Sequence, residues 1–284
     1  MSDPFEIEGP AHVSVSGGRT SGYMLWRMLQ AHGGRLPAEV IPIFANTGKE
    51  DPATLQFVRE MSDRWNVPIR WVEYRYTEEV ALRWHEVGFD SASREGEPFE
   101  ALVRAKQYLP NPVTRFCTIE LKIRPIARLA KALGHPGTMD DLERGAIVGI
   151  RVDEPRRIIK IGDRKRMPLV AAGVDVREVG AFWQAQPFDL QLPNINGRTL
   201  HGNCDLCFLK PTGQVLSLIK EKPARAIWWA HIEDEVGAFA SRKFVSTSRF
   251  RSDRPSYAQM LAFAGDQRDM FDPDEEAIPC FCGD

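Results

Sequence analysis

Two sets of residues in this chain have types and spacings suited to chemistry. The first is Ser16-Gly17-Gly18-Arg19-Thr20-Ser21, which lies between a β-favouring run at residues 12–15 and a helical pattern at residues 22–30. A glycine-rich turn between a strand and a helix presents backbone N–H groups at the helix N-terminus, where unpaired donors and the helix dipole favour an anion. Gly17 and Gly18 let phosphate oxygens approach the backbone, Ser16 and Ser21 add hydroxyl donors, and Arg19 adds charge. Neither the Walker spacing nor G-x-G-x-x-G is present. The second set is the cysteines: Cys117 stands alone, Cys204 and Cys207 form C-x-x-C, and Cys280 and Cys282 form C-x-C. This is not the spacing of a secreted disulfide framework, and it reads as metal, cluster or redox chemistry. C-x-x-C is common to zinc sites, redox dithiols and iron–sulfur sites. Cys117 precedes a helical pattern whose dipole favours a thiolate. No two histidines have the i, i+4 spacing of a metal pair, and Trp228-Trp229 reads as helix packing.

The elements that must position these residues alternate. Strand patterns at residues 12–15, 40–44, 69–74 and 146–150 are separated by helical patterns at 22–30, 52–65 and 121–133, with a further loop and helix at 168–183. Asp51 before Pro52 is a helix N-cap with proline at the first position. The alternation predicts a parallel sheet with helical crossovers. Residues 77–112, punctuated by Gly88, Gly96, Pro98, Pro110 and Pro112, read as an irregular excursion. From about residue 187 the alternation stops, giving an expected α/β domain at 1–186 and a mainly helical, cysteine-bearing module at 187–284.

Composition bounds the function. The 284 residues suit one large α/β domain or a domain with an appendage, and 43% hydrophobic with 27% charged residues excludes disorder, collagen and coiled coil as global classes. No apolar run approaches the ~20 residues that span a bilayer, and residues 1–10 are acidic and lack a signal peptide's pattern, so the expectation is a cytoplasmic protein with no membrane partner. A net charge of −2 argues against coating nucleic acid by bulk charge. Its distribution is uneven: residues 151–168 hold seven basic against three acidic residues, 241–254 five against one, and 265–284 one against seven.

Ser16 to Ser21 resembles the S-G-G-x-x-S pyrophosphate loop of the PP-loop ATP pyrophosphatases, within the adenine nucleotide alpha hydrolase group that includes phosphoadenylylsulfate reductases. Further segments follow in that family's order: Phe44-Ala45-Asn46-Thr47-Gly48; Cys117-Thr118 with Leu121-Lys122 and Pro125; Gly149-Ile150-Arg151 with Asp153-Glu154 and Arg157; and Pro168-Leu169 with Val176, Val179, Phe182 and Trp183. The resemblance spans roughly residues 13–210. It implies a Rossmann-like parallel sheet with helices on both faces.

It also implies roles. Ser16, Gly17, Gly18, Arg19, Thr20 and Ser21 hold the phosphates of ATP with Mg2+; Asn46, Thr47 and Gly149 lie near the nucleotide; Lys122 and Arg151 neutralise charge during catalysis. Thr20 stands where many members carry Asp, a departure that bears on magnesium. Cys117, Cys204 and Cys207 match ligands of a four-iron, four-sulfur cluster, with zinc as the rival occupant. Cys280 or Cys282 supplies the fourth ligand; Cys280 is assigned to it here and Cys282 to catalysis. The implied activity is ATP-dependent adenylylation and sulfur transfer, to a DNA or RNA acceptor met by Arg156, Arg157, Arg164, Lys165 and Arg166, with a cysteine desulfurase or a reductant as donor. The alternatives are a sulfonucleotide reductase, although its Glu-Cys-Gly-Leu-His ending is absent, and a nucleotide-binding regulatory protein with structural zinc.

Overall fold

The computed structural model describes residues 3–163, 166–195, 197–202, 204–240 and 248–266. The first strand, β1 (Ala11–Ser14), runs into α1 (Arg19–Ala31); β2 (Val40–Asn46) is followed by α2 (Pro52–Arg64), then β3 (Arg70–Glu73) and β4 (His85–Val87). Asp51 accepts from the Ala53 amide at 3.0 Å and Pro52 opens α2, as its sequence signature predicts.

Residues 77–112 are more ordered than their glycines and prolines suggest. They contain β4 and a helix, α3 (Glu97–Lys106), in which Gly96 supplies a left-handed N-cap and Pro98 sits in the first turn. Those two residues start a helix instead of excluding one. The helix expected at 121–133 is divided into one turn, α4 (Phe116–Thr118), a π-helical turn (Ile119–Ile123) and α5 (Arg124–Ala132). Pro125 has no amide to donate to the Leu121 carbonyl, which explains the local widening. Next come α6 (Met139–Gly145), a short β5 (Ile147–Val148), α7 (Pro155–Ile161), α8 (Pro168–Ala171) and α9 (Val176–Gln184).

The five-stranded sheet has the order β4-β3-β2-β1-β5, with every pair parallel except β3 with β4. Side chains of β2 alternate between two layers. Phe44 packs with Val13, Met24, Leu25, Val58 and Met61 on the α1/α2 face, while Ile43 and Ala45 pack with Ile126 and Leu129 of α5 on the other. The protein is therefore mixed α/β, with helices on both faces of a mostly parallel sheet. The chain moves outward from β1 to β4 and returns to β5 on the opposite side of β1. That reversal opens a crevice at the carboxyl ends of β1 and β5, where open α/β sheets bind ligands.

The C-terminal third begins with a hairpin of β6 (Asn194–Ile195) and β7 (Arg198–Thr199), followed by α10 (Thr212–Glu221), α11 (Ala224–Ala240) and α12 (Tyr257–Asp266). Its core is shared: Phe99, Leu102, Phe116 and Leu121 from the earlier chain pack with Leu206, Phe208, Leu218, Trp229, Phe250 and Tyr257. No helix among the described residues is long and apolar enough to cross a membrane.

Candidate nucleotide cavity and cysteine turn

The crevice at β1 and β5 holds a cavity of about 440 Å³. Ser14, Val15, Ser16 and Ser21 form one wall, Val148 and Gly149 another, and Thr118, Lys122, Ile123 and Ile126 close it from the π turn and α5. Gly17 has φ +78°, and a Cβ there would lie 2.5 Å from Thr54 Cγ2. At Gly149 a Cβ would lie 3.0 Å from Ser21 Cα, so glycine is what lets the end of β5 approach the first turn of α1. The Ser16 amide and hydroxyl donate to Ser21 Oγ at 3.1 and 2.9 Å, and Ser21 Oγ donates to the Gly18 carbonyl at 3.0 Å, which fixes the loop. Gly18, the N-cap of α1, makes no side-chain cap and no acidic residue stands in the first turn, an end electrostatically suited to an anion.

Of the expected site residues, Ser16, Ser21, Gly149 and Lys122 line this one cavity. Arg19, Thr20, Asn46, Thr47 and Arg151 have partners elsewhere. Arg19, expected to add charge for phosphate, donates to Asp189 Oδ1 and Oδ2 at 2.8 and 2.7 Å, to Thr199 Oγ1 at 3.0 Å, and to the Leu190 and Leu192 carbonyls at 2.6 and 3.0 Å. Its guanidinium thus ties the glycine-rich loop to Asp189, Leu190, Leu192 and Thr199. Arg151 donates to Thr20 Oγ1 at 2.6 Å and to Asp153 Oδ1 at 3.1 Å, so it and Thr20 brace the loop after β5 against α1. Asn46 donates to Glu73 Oε1 at 2.6 Å and to the Ser93 carbonyl at 2.8 Å, and Thr47 bonds Glu50.

Beside Lys122, the cavity's charge comes from residues that sequence reasoning assigned otherwise or missed. Arg157, Lys160 and Ile161 of α7 line it, together with Arg144, Arg166 and the carboxylate-bearing Glu143. Arg157 also pairs with Glu154. The i, i+3, i+4 spacing of 157, 160 and 161 was the available signal for one inward helix face. The five-residue basic patch is therefore divided: Arg156 is exposed, Arg157 faces inward, Arg166 donates to the Ala146 carbonyl at 3.0 Å with its pKa lowered by burial, and Arg164 and Lys165 lie outside the described residues. Beneath this end of the cavity, His12 donates to the Leu142 carbonyl at 2.9 Å; burial, with the neighbouring His135 and Arg166 charges, brings its pKa down to about 4.

The C-x-x-C turn is held by a buried polar network. Lys210 Nζ donates to the carbonyls of Gly202, Cys204 and Asp205 at 2.8, 3.1 and 3.0 Å. Asp205 pairs with Lys49 at 3.2 Å and accepts from Trp229 Nε1 at 2.8 Å, and its amide donates to the Lys49 carbonyl at 2.8 Å. Tyr257 donates to the Leu206 carbonyl at 2.6 Å. Cys204 and Cys207 are buried, and Cys117 packs against the same apolar cluster. None of the three is in a disulfide. Among the described residues no three His, Cys, Asp or Glu side chains are gathered as a metal-binding group. Cys280 and Cys282 lie outside the described residues.

The chain is 33% identical over 213 residues to the uncharacterized nin region protein ORF290 of Escherichia phage lambda, an alignment that covers 72% of this chain and 67% of the phage protein. The chain belongs to the family of that phage protein. No protein-family model and no solved structure matches it.

Proposed function

We propose that this protein is an ATP-using PP-loop enzyme with a Rossmann-like, adenine nucleotide alpha hydrolase-like fold, which adenylylates an acceptor oxygen and directs sulfur to the activated position. The observation that carries this reading is the meeting of Ser16, Ser21 and Gly149 with Lys122, Arg157, Lys160 and Arg166 around one cavity at the strand-order reversal. In this reading the loop's backbone amides hold the β and γ phosphates, and apolar Val15, Ala45, Ile126 and Val148 receive the base. The acceptor oxygen attacks the α phosphorus and the bond to the bridging oxygen breaks. Pyrophosphate leaves, and Lys122 and Arg157 offset the charge that builds on it. A sulfur nucleophile then bonds to the acceptor carbon, and the carbon–oxygen electron pair departs with AMP. Thr20 is engaged by Arg151, so Glu143 would be the cavity-wall carboxylate to hold Mg2+, which would offset charge on the nucleotide's phosphates.

The donor set of Cys117, Cys204 and Cys207 suits a thiolate-bound iron–sulfur cluster or zinc in its chemistry, because two thiols share one rigid turn in an apolar cluster with a buried ammonium beside their carbonyls. Such a group would supply a sulfur or electron relay if it is a cluster, and rigidity alone if it is zinc. A nucleic acid acceptor would meet the exposed Arg156 side of α7. The test is phosphorus NMR of full-length protein incubated anaerobically with ATP, magnesium, sulfide and nucleic acid. AMP and pyrophosphate are expected. ADP with orthophosphate overturns the reading, and reduction of adenylylsulfate to sulfite without ATP use replaces it with the reductase.

A further inference from the structure

Arg157, on the cavity wall, is held by a carboxylate that does not itself line the cavity. Glu154 occupies the N-cap of α7, yet its side chain does not cap that helix. Oε2 turns back to accept from the Arg151 amide at 2.9 Å, and Oε1 pairs with the Arg157 guanidinium. The turn that carries Glu154 is fixed on several sides. The Glu154 amide donates to the Arg151 carbonyl at 3.2 Å, the Val152 amide donates to the Val174 carbonyl at 3.0 Å, and Arg151 reaches Thr20 Oγ1 in the first turn of α1 at 2.6 Å. Arg151 has Asp153 as its own counter-charge, at 3.1 and 3.3 Å, whereas its Nε lies 4.0 Å from Glu154 Oε2. Glu154 therefore serves chiefly as the counter-charge of Arg157. Both side chains of that pair are 12% exposed, while Arg156 beside them is exposed. An arginine in the first turn of a helix is opposed by the dipole, and the first turn of α7 has no acidic residue to offset it.

We propose that Glu154 is a positioning residue that holds the Arg157 guanidinium at the cavity wall, so that a polyphosphate bound at the glycine-rich loop meets a charge already in place. The inference rests on the cavity being the nucleotide site. A guanidinium carries its five donors in one plane, so anchoring one nitrogen on Glu154 fixes the direction of the others. Because the Glu154 carboxylate is itself set by the Arg151 amide, and Arg151 by Thr20, the position of Arg157 is referred back to α1, the helix that the loop opens. Without the carboxylate, the side chain has the freedom of its exposed neighbour Arg156, and binding must pay the entropy of ordering it.

The experiment is calorimetric titration of the full-length protein with inorganic pyrophosphate and with Mg-ATP, with urea denaturation confirming that each variant folds. Arg157→Met should weaken pyrophosphate binding about tenfold, the loss of one charged hydrogen bond. Glu154→Asp keeps the net charge and withdraws the carboxylate by one methylene, and it should weaken binding to a similar extent. The decisive reading is the double-mutant cycle: Glu154→Asp added to Arg157→Met should cost nothing further, because the group it positions is gone. Glu154→Gln, which keeps the length and an acceptor for the Arg151 amide, carries the same cycle if Glu154→Asp does not fold. An equal loss from the Glu154 change with Arg157 present or absent indicates a role through the Arg151 turn alone and overturns the inference. Wild-type affinity in Arg157→Met, or in the Glu154 variants, also overturns it. A wild-type chain that binds neither pyrophosphate nor ATP overturns the cavity reading itself and the positioning role with it.

Discussion

Adding one methyl group at Gly149 tests whether the close approach of β5 to α1 shapes the cavity. A Cβ built there lies 3.0 Å from Ser21 Cα, 3.2 Å from Ser21 N and 3.4 Å from the Thr20 carbonyl carbon, all of them backbone atoms in the first turn of α1. Carbon atoms settle about 3.5–4.0 Å apart, so Gly149→Ala must move β5 and the phosphate loop apart by roughly half an ångström or more. No side-chain rotation relieves a contact with backbone. Overpacking of this kind costs ~1–3 kcal/mol of stability. The same shift lengthens the hydrogen bonds that a phosphate would make with the loop, and losing about 1.5 kcal/mol from one such charged hydrogen bond predicts a roughly tenfold loss of ATP affinity. Gly180→Ala is the control: nothing lies within 4 Å of its Cβ position, it sits inside α9, and alanine there should stabilise by ~0.5–1 kcal/mol. Urea denaturation measures both stabilities and calorimetry measures ATP binding. If Gly149→Ala matches the wild type in stability and affinity, the reasoning from the close approach is refuted.

Three further outcomes follow from named groups. His12 falls from 6.5 in the unfolded chain to about 4 when folded, so the unfolded state takes up the proton first; stability present above pH 6.5 declines by ~3 kcal/mol as pH drops to 4, and denaturation of His12→Gln across that window should show a flatter profile. Arg19→Met leaves Asp189 and two carbonyls without their donor and should cost ~2–4 kcal/mol, reduced from the fully buried case because Asp189 is 34% exposed; a loss below about 1 kcal/mol in urea denaturation would contradict the clamp. Iron and sulfide analysis of anaerobically purified protein should find both elements, with the visible absorption lost in Cys204→Ala; retained colour in that variant, or stoichiometric zinc in the wild type, removes the cluster.

The parts of the fold that repeat were legible in the sequence, because β1, β2 and β3 are short β-favouring runs buried on both faces and α1 and α2 bury residues at i, i+3, i+4 spacing, patterns that need no tertiary context. Gly96 and Pro98 misled because the residues that break an element interior also serve as its cap and first turn. The candidate site divides the same way. The loop of Ser16 and Ser21 announces itself through its glycine turn, and Gly149 through the family resemblance, whereas the destination of a long side chain depends on segments far away in sequence. Arg19 is claimed by Asp189, 170 residues on. Arg157 reads as part of a basic patch for a nucleic acid acceptor, and Lys160 carries no assignment, until α7 is placed beside β5. Glu50 gave no signal, since its pairing with Lys122 depends on a residue far along the chain.

The measurement that bears most directly on the cavity is a calorimetric titration of Mg-ATP into the full-length protein, repeated with inorganic pyrophosphate as competitor and with Gly17→Val, whose Cβ would lie 2.5 Å from Thr54 Cγ2 at a φ of +78°. The account predicts one ATP per chain, displaced by pyrophosphate and lost in Gly17→Val. A wild-type chain that binds no ATP, or one whose ATP binding is unchanged by pyrophosphate and by Gly17→Val, contradicts it.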